Sequence, residues 1–172
     1  MSDRGFSSGW EYRSYEQEVV AMDEKDRRRF SRVNLQWAVR LDFGILEYKH
    51  FVDNVSLGGL YIEGNFQQLS GDICIISLKQ SGIFTEEAVR AIGSITRISD
   101  HGIAVEFLSM KLDSFFFLQT TLFCKAINPS LLGKEFISNN TFEVDGDTVF
   151  FESHGFKGWN IKQLPGFFLH KE

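Results

Sequence analysis

The feature that most constrains this chain is the strictly alternating stretch VNLQWAVRL at residues 33–41. Its apolar side chains stand at every second position, at Val33, Leu35, Trp37, Val39 and Leu41. Successive side chains of a β-strand point to opposite faces of the sheet, so this alternation predicts a strand with one buried face. An amphipathic helix would need its apolar residues three or four positions apart.

Five further segments show strand character and are separated by Gly or Ser-Asp punctuation. The stretch DNVSLGG at residues 53–59 predicts a turn between two of them. The five segments are residues 45–52, 60–63, 73–80, 88–98 and 102–108. Six strands at this spacing predict a mainly β domain, an antiparallel barrel or sandwich. A length of 172 residues suits one domain with extensions.

Residues 113–129 form the clearest helical pattern of the chain, with Asp113 as the expected N-cap. Asn128-Pro129 is expected to end the helix. One apolar stripe is predicted to pack on the sheet, and its members recur at helical spacing. These are Phe116, Gln119, Phe123 and Ile127, beside Phe115, Leu118 and Leu122.

Two extensions flank this predicted domain. Residues 1–26 mix Gly, Ser, charges and scattered aromatics, which predicts a flexible lead-in. Residues 129–172 form an aromatic C-terminal extension, in which the Asp145-Gly146 pair between two apolar runs predicts a β-hairpin. Its last part, GFKGWNIKQLPGFFLHKE, is apolar enough to fold onto the barrel or onto a partner.

Several function classes receive little support from the sequence. The four histidines are scattered, without metal-ligand spacing and without a pairing to either cysteine, so neither an enzyme nor a metal site is expected. Cys74 and Cys124 lie far apart inside apolar runs, which predicts two reduced, buried thiols. The absence of a secretory pattern and of a long apolar segment predicts an intracellular protein without a membrane span.

Two polar stretches remain as candidates for a binding site. RRRFSR at residues 27–32 gathers arginines in a chain of net charge -5, and Arg28 and Arg32 point to the same side of an extended segment. NVSLGG at residues 54–59 offers short polar side chains, and its glycines suggest special backbone conformations and close approach of a ligand. Each stretch alone has a plainer interpretation, a solvated linker for the first and a β-turn for the second.

Together and in this order, the two stretches resemble the RRxxxR and [D/N]xSxxG motifs of the PilZ domain family. The resemblance covers residues 27–128 and implies a six-stranded β-barrel, followed by a C-terminal helix, that binds the bacterial second messenger cyclic di-GMP. It implies no other cofactor. The ligand-binding residues that it implies are Arg27, Arg28, Arg32, Asn54, Ser56 and Gly59. Many members carry Asp where this chain has Asn54, and a neutral amide is a weaker acceptor for guanine N–H groups.

The function implied is that of a non-catalytic receptor or adaptor in the bacterial cytoplasm. Ligand binding is expected to change the conformation of the N-terminal arm and so to signal to a protein effector. The alternative is a PilZ-like protein–protein adaptor that acts independently of nucleotide, which the aromatic tail favours. Binding of a DNA or RNA polymer is a third hypothesis, and the net charge of -5 argues against it.

Overall fold

The structure is a computed structural model that describes residues 29–80, 87–138 and 142–152. Its strands are β1 (Ala38–Asp42), β2 (Glu47–Phe51), β3 (Asn54–Ser56), β4 (Gly59–Glu63), β5 (Ile73–Lys79), β6 (Val89–Ser99), β7 (Gly102–Lys111), β8 (Phe142–Asp145) and β9 (Thr148–Phe151). Its helices are α1 (Leu112–Lys125) and α2 (Pro129–Ser138). The predicted lead-in, Arg27, Arg28 and the last part of the C-terminal extension lie outside the described residues.

All strand pairs are antiparallel, and the sheet runs in the order β2-β1-β5-β6-β7-β4-β3. Strand β9 pairs with the end of β7, and β8 pairs with β9. The mainly β class is therefore confirmed, but the strand path is not closed, because β2 and β3 are its two ends. A single bridge, Val33 to Val55, connects the segment ahead of β1 to the β3 end.

The strand count differs from the sequence expectation at one place. Within the described ranges, seven strands precede the helices instead of six, because the predicted turn at residues 53–59 contains β3. The alternation at residues 33–41 correctly predicts the buried face, since all five apolar side chains are at most 7% exposed. Only residues 38–41 of this stretch belong to β1. The residues before them lie outside the β1 ladder, and Val33 pairs with Val55 of β3.

Helix α1 covers one side of the sheet and contacts β6, β7 and β9. Its buried side chains are Phe115, Leu118 and Leu122, while Phe116 is 54% exposed. The predicted stripe is thus wrong in part, because the helix packs on the sheet through the face of Phe115 and not through that of Phe116. Asp113 is not the N-cap, because the helix already begins at Leu112.

Helix α2 was not predicted, because residues 129–172 showed only strand signals. The side-chain Oδ1 of Asn128 accepts a hydrogen bond from the Leu131 N–H at 3.0 Å, which is the bond of an N-cap residue. Pro129 occupies the first helical position, where its missing N–H costs nothing. Asn128-Pro129 therefore starts a second helix as well as following the first, and Leu132 is the buried residue of α2.

The C-terminal hairpin β8–β9 is present where Asp145-Gly146 predicted one. Gly146 has φ +63° and leads the two-residue turn between the strands, a conformation that glycine adopts without strain. Because β9 adds to β7, the hairpin extends the main sheet, and the Phe142 and Phe151 rings lie 5.2 and 5.9 Å from that of Phe115. No helix of the described ranges is long and apolar enough to cross a membrane.

Candidate functional site

The end of the arginine-rich stretch is held against the sheet by packing and by main-chain bonds. Phe30 is 8% exposed, and its ring covers Gly58 in the turn between β3 and β4. Val33 and Val55 exchange two backbone hydrogen bonds of 2.8 and 2.9 Å. Counting outward from this antiparallel bridge places Arg32 opposite Ser56. The two motifs, more than twenty residues apart in sequence, are therefore neighbours in the sheet.

The polar side chains of the second motif take part in local bonds. The Ser56 hydroxyl accepts a hydrogen bond from the Gly58 N–H at 3.3 Å and donates one to the Gly59 carbonyl at 3.2 Å. The Asn54 amide donates to the Asp53 carboxylate at 2.6 Å. Ser56 therefore closes the β3–β4 turn.

The two glycines of the second motif lack the special backbone conformations that were predicted for them. Neither Gly58 nor Gly59 has a positive φ, so the backbone itself accepts other residues. Space is the constraint: a Cβ on Gly59 would collide with the carbonyl oxygen of Val105 and stand 3.0 Å from the Cα of Glu106. Gly59 thus lets β4 approach β7 closely, and Gly58 lets Phe30 lie on the turn.

A cavity of about 350 Å³ opens where the two motifs meet. Strands β6 and β7 form its floor, and the end of β9 forms one wall. Its lining residues are Arg29, Phe30, Arg32, Ser56, Gly58, Thr96, Glu106, Phe107, Phe151 and Glu152. Of the predicted binding residues that are described, Arg32 and Ser56 line this cavity, whereas Asn54 and Gly59 belong to the same hairpin without lining it.

Charges of both signs border the cavity. Arg29 pairs with Glu152 at 3.6 Å, and their side chains are 34% and 69% exposed, so this ion pair is well solvated. Guanidinium groups bind phosphates and the acceptor edge of guanine, whereas carboxylates such as Glu106 accept from guanine N–H groups. The cavity lining therefore contains both guanidinium and carboxylate groups.

Three of these charged residues were not among the predicted site residues. Arg29 belongs to the quoted stretch but not to the motif positions. Glu106 is the charged residue of the otherwise apolar GIAVEFL strand, and this departure from the apolar pattern could have marked it as a candidate site residue. Glu152 had no local signal, because it reaches the cavity only through the pairing of β9 with β7.

The C-terminal extension also reaches the arginine stretch from a second direction. Glu135 of α2 accepts two hydrogen bonds from Ser31, one from the backbone N–H to Oε2 and one from the hydroxyl to Oε1, both of 2.6 Å. The two residues are 104 positions apart in sequence and partly buried. Ser31 lies between Phe30 and Arg32, so this contact holds the middle of the motif.

Other chemistry is sparse in the described ranges. No group of three or more His, Cys, Asp or Glu residues there could hold a metal ion. Burial, reinforced by Asp42 and Asp72, raises the pKa of the Cys74 thiol to about 12. Cys124, by contrast, is exposed, so the prediction of two buried thiols is wrong for the second one. Its position on the outer face of α1 explains this, because the opposite face carries the buried side chains.

Comparison with known proteins assigns the chain to a family. The family model of the PilZ domain matches residues 26–123. The chain belongs to the PilZ domain family. This match confirms the resemblance that the two motifs indicated, and it ends before α2 and the β8–β9 hairpin, which lie in the C-terminal extension.

Among solved structures, one similar chain is the Bacillus subtilis inhibitor of motility (MotI/DgrA), with a TM-score of 0.47 and 14% sequence identity. The alignment covers 56% of this PilZ chain and 52% of that one, so the match spans about half the length of the motility inhibitor. A search of curated proteins finds no match.

Proposed function

We propose that this PilZ protein is a non-catalytic receptor or adaptor for cyclic di-GMP in the bacterial cytoplasm. The observation that carries the proposal is the bridge between Val33 and Val55, which puts Arg32 opposite Ser56 at the edge of one cavity. Family membership supports the same ligand. An arginine-rich stretch and a polar turn that were distant in sequence thus face each other where a phosphate and a guanine can be bound together.

The ligand chemistry assigns a role to each motif residue. Arg27, Arg28 and Arg32 bind the phosphates and the guanine acceptor edges, because a planar guanidinium pairs bidentately with both. Asn54 and Ser56 contact a guanine and the ribose–phosphate backbone across the β3–β4 hairpin. Gly59 keeps β4 close to β7 and so holds that hairpin in place.

The proposed output is a change in the conformation of the N-terminal arm, residues 1–26, that a protein effector recognises. The arm continues directly into the arginine stretch, so ligand contacts at Arg27 and Arg28 act at the junction of arm and barrel. Slower hydrogen exchange in residues 20–32 upon addition of cyclic di-GMP is the expected signature. Unchanged exchange would argue against this output while leaving the binding function intact.

Titration calorimetry of the intact chain with cyclic di-GMP tests the binding function. We expect saturable binding that Arg28→Ala or Arg32→Ala weakens at least tenfold, equivalent to about 1.4 kcal/mol. Arg40→Ala is the matched control, since Arg40 on β1 lies outside the cavity and pairs with Glu47 and Glu87. Absence of saturable heat with the intact chain, or an equal loss in the control, would refute the proposal.

One observation favours the nucleotide-independent adaptor as a second candidate. The two helices expose large apolar side chains on their outer faces, among them Phe116 and Phe117 of α1 and Ile137 of α2, which are 54%, 39% and 78% exposed. Exposed apolar patches are typical of protein-binding surfaces. A partner retained by the intact chain equally with and without cyclic di-GMP, and equally by Arg32→Ala, would identify this function.

A further inference from the structure

The contact between Ser31 and Glu135 joins the arginine stretch to a helix outside the family match. One carboxylate accepts both donors of a single serine at 2.6 Å, which fixes the backbone N–H and the side chain of Ser31 at once. Hydrogen bonds to an ionised acceptor are shorter and stronger than those between neutral groups. This pair therefore restrains the residue immediately before Arg32.

Helix α2 is itself firmly placed, so Glu135 is a fixed acceptor. Leu132 is fully buried, and the ring of Phe136 lies 6.0 Å from that of Phe115 and 5.3 Å from that of Phe142. Gly133 lies against Phe123 of α1. The position of Glu135 thus follows from the packing of α2 on α1 and on the C-terminal hairpin.

We propose that Glu135 is a positioning residue of the nucleotide site, so that the C-terminal extension is part of the receptor. This inference rests on the proposed cyclic di-GMP function. Without the Glu135 contact, ligand binding has to order the backbone around Ser31 as well as the arginine side chains. A contact that orders this backbone in advance removes that part of the cost of binding.

Electrostatics alone predicts that loss of Glu135 strengthens ligand binding, whereas loss of positioning predicts that it weakens binding. The direction of the change in affinity therefore distinguishes the two. Glu135 is an acidic group on the segment that carries the phosphate-binding arginines. Removal of a negative charge near an anion site strengthens anion binding by Coulomb's law. Weaker binding after loss of Glu135 therefore reports the lost positioning and cannot arise from the lost charge.

The experiment measures cyclic di-GMP affinity by calorimetry for the intact chain and for four variants. We expect Glu135→Ala to weaken binding about five- to twentyfold. Glu135→Gln should stay within about threefold of the intact chain, since its amide can accept from the Ser31 N–H and donate to the hydroxyl. Ser31→Ala, which keeps the backbone bond, should fall between them. Glu47→Ala on β2 removes one carboxylate away from the cavity and controls for net charge.

Urea unfolding and hydrogen exchange of each variant separate positioning from loss of the fold. A folded Glu135→Ala variant is expected to show faster exchange at Phe30, Ser31 and Arg32 but unchanged exchange in β5 and β6. If the intact chain binds and a folded Glu135→Ala binds as tightly or more tightly, the inference is wrong and the proposed function stands. If the intact chain does not bind at all, the proposed function is wrong, and this inference with it.

Discussion

Replacing Gly59 with alanine tests what the last glycine of the second motif does. The new methyl group would collide with the Val105 carbonyl oxygen and stand 3.0 Å from the Glu106 Cα, and both are backbone atoms of the central strand β7. A side chain could turn away from the methyl group, but a paired backbone cannot. Strand β4 therefore has to move away from β7, and β3 has to move with it because β3 joins the strand path through β4.

The size of the effect follows from the contacts at the two adjacent glycines. Overpacking that forces backbone shifts costs about 1–3 kcal/mol, and we expect Gly59→Ala near the upper end, a loss of about 2–3 kcal/mol in the free energy of unfolding. Gly58→Ala is the matched control. Its Cβ would meet only ring atoms of Phe30, at 3.0 and 3.3 Å, and a ring can tilt, so we expect a loss of about 1 kcal/mol or less.

The assay is urea unfolding followed by circular dichroism, without nucleotide. A Gly59→Ala variant as stable as the intact chain, within about 0.5 kcal/mol, would refute the packing argument. A loss in Gly58→Ala equal to that in Gly59→Ala would also refute it. If Gly59→Ala is fully stable but no longer binds cyclic di-GMP, the glycine serves the approach of the ligand instead of the approach of β7.

Two further predictions concern the thiols. Under native conditions a thiol reagent should modify the exposed Cys124 and spare the buried Cys74. In denaturant both thiols should react. Rapid reaction of both thiols in the native protein would contradict the burial of Cys74. Burial raises the Cys74 pKa to about 12 from 9.0, so between these values the unfolded chain loses a proton that the folded chain keeps. Stability should therefore fall as pH rises from about 9 towards 12, and Cys74→Ala should show a shallower fall in urea unfolding at a series of pH values.

Local patterns predicted most of the sheet. Alternation identified the buried face of residues 33–41, and the Asp145-Gly146 pair identified the hairpin, because both signals depend on neighbours in sequence. Helix α2 was missed because its start signal, Asn128-Pro129, was interpreted only as the end of α1. An Asn-Pro pair stops one helix and caps the next equally well, so the sequence left both possibilities open.

The candidate site was predictable only where it depends on motif residues. Arg32 and Ser56 come together as the two motifs indicated. The contacts of Glu135 and Glu152 depend on how α2 and β9 pack against the domain, and pairings between distant segments leave no local trace in the sequence. The special backbone conformation predicted for the glycine pair is wrong, and the distance between β4 and β7 that constrains Gly59 exists only in the folded sheet.

The residues between the arginines distinguish this charged stretch from a solvated linker. Phe30 is buried on the Gly58 turn, Ser31 is bonded to Glu135, and Arg32 stays exposed at the cavity. Alternate residues of an extended segment face opposite ways, so Ser31 is directed to Glu135 while Phe30 and Arg32 both line the cavity. Arginines in the same order, without these anchors, would have no defined orientation. The spacer residues Phe30 and Ser31 thus contribute to the proposed binding by holding the backbone beside Arg32.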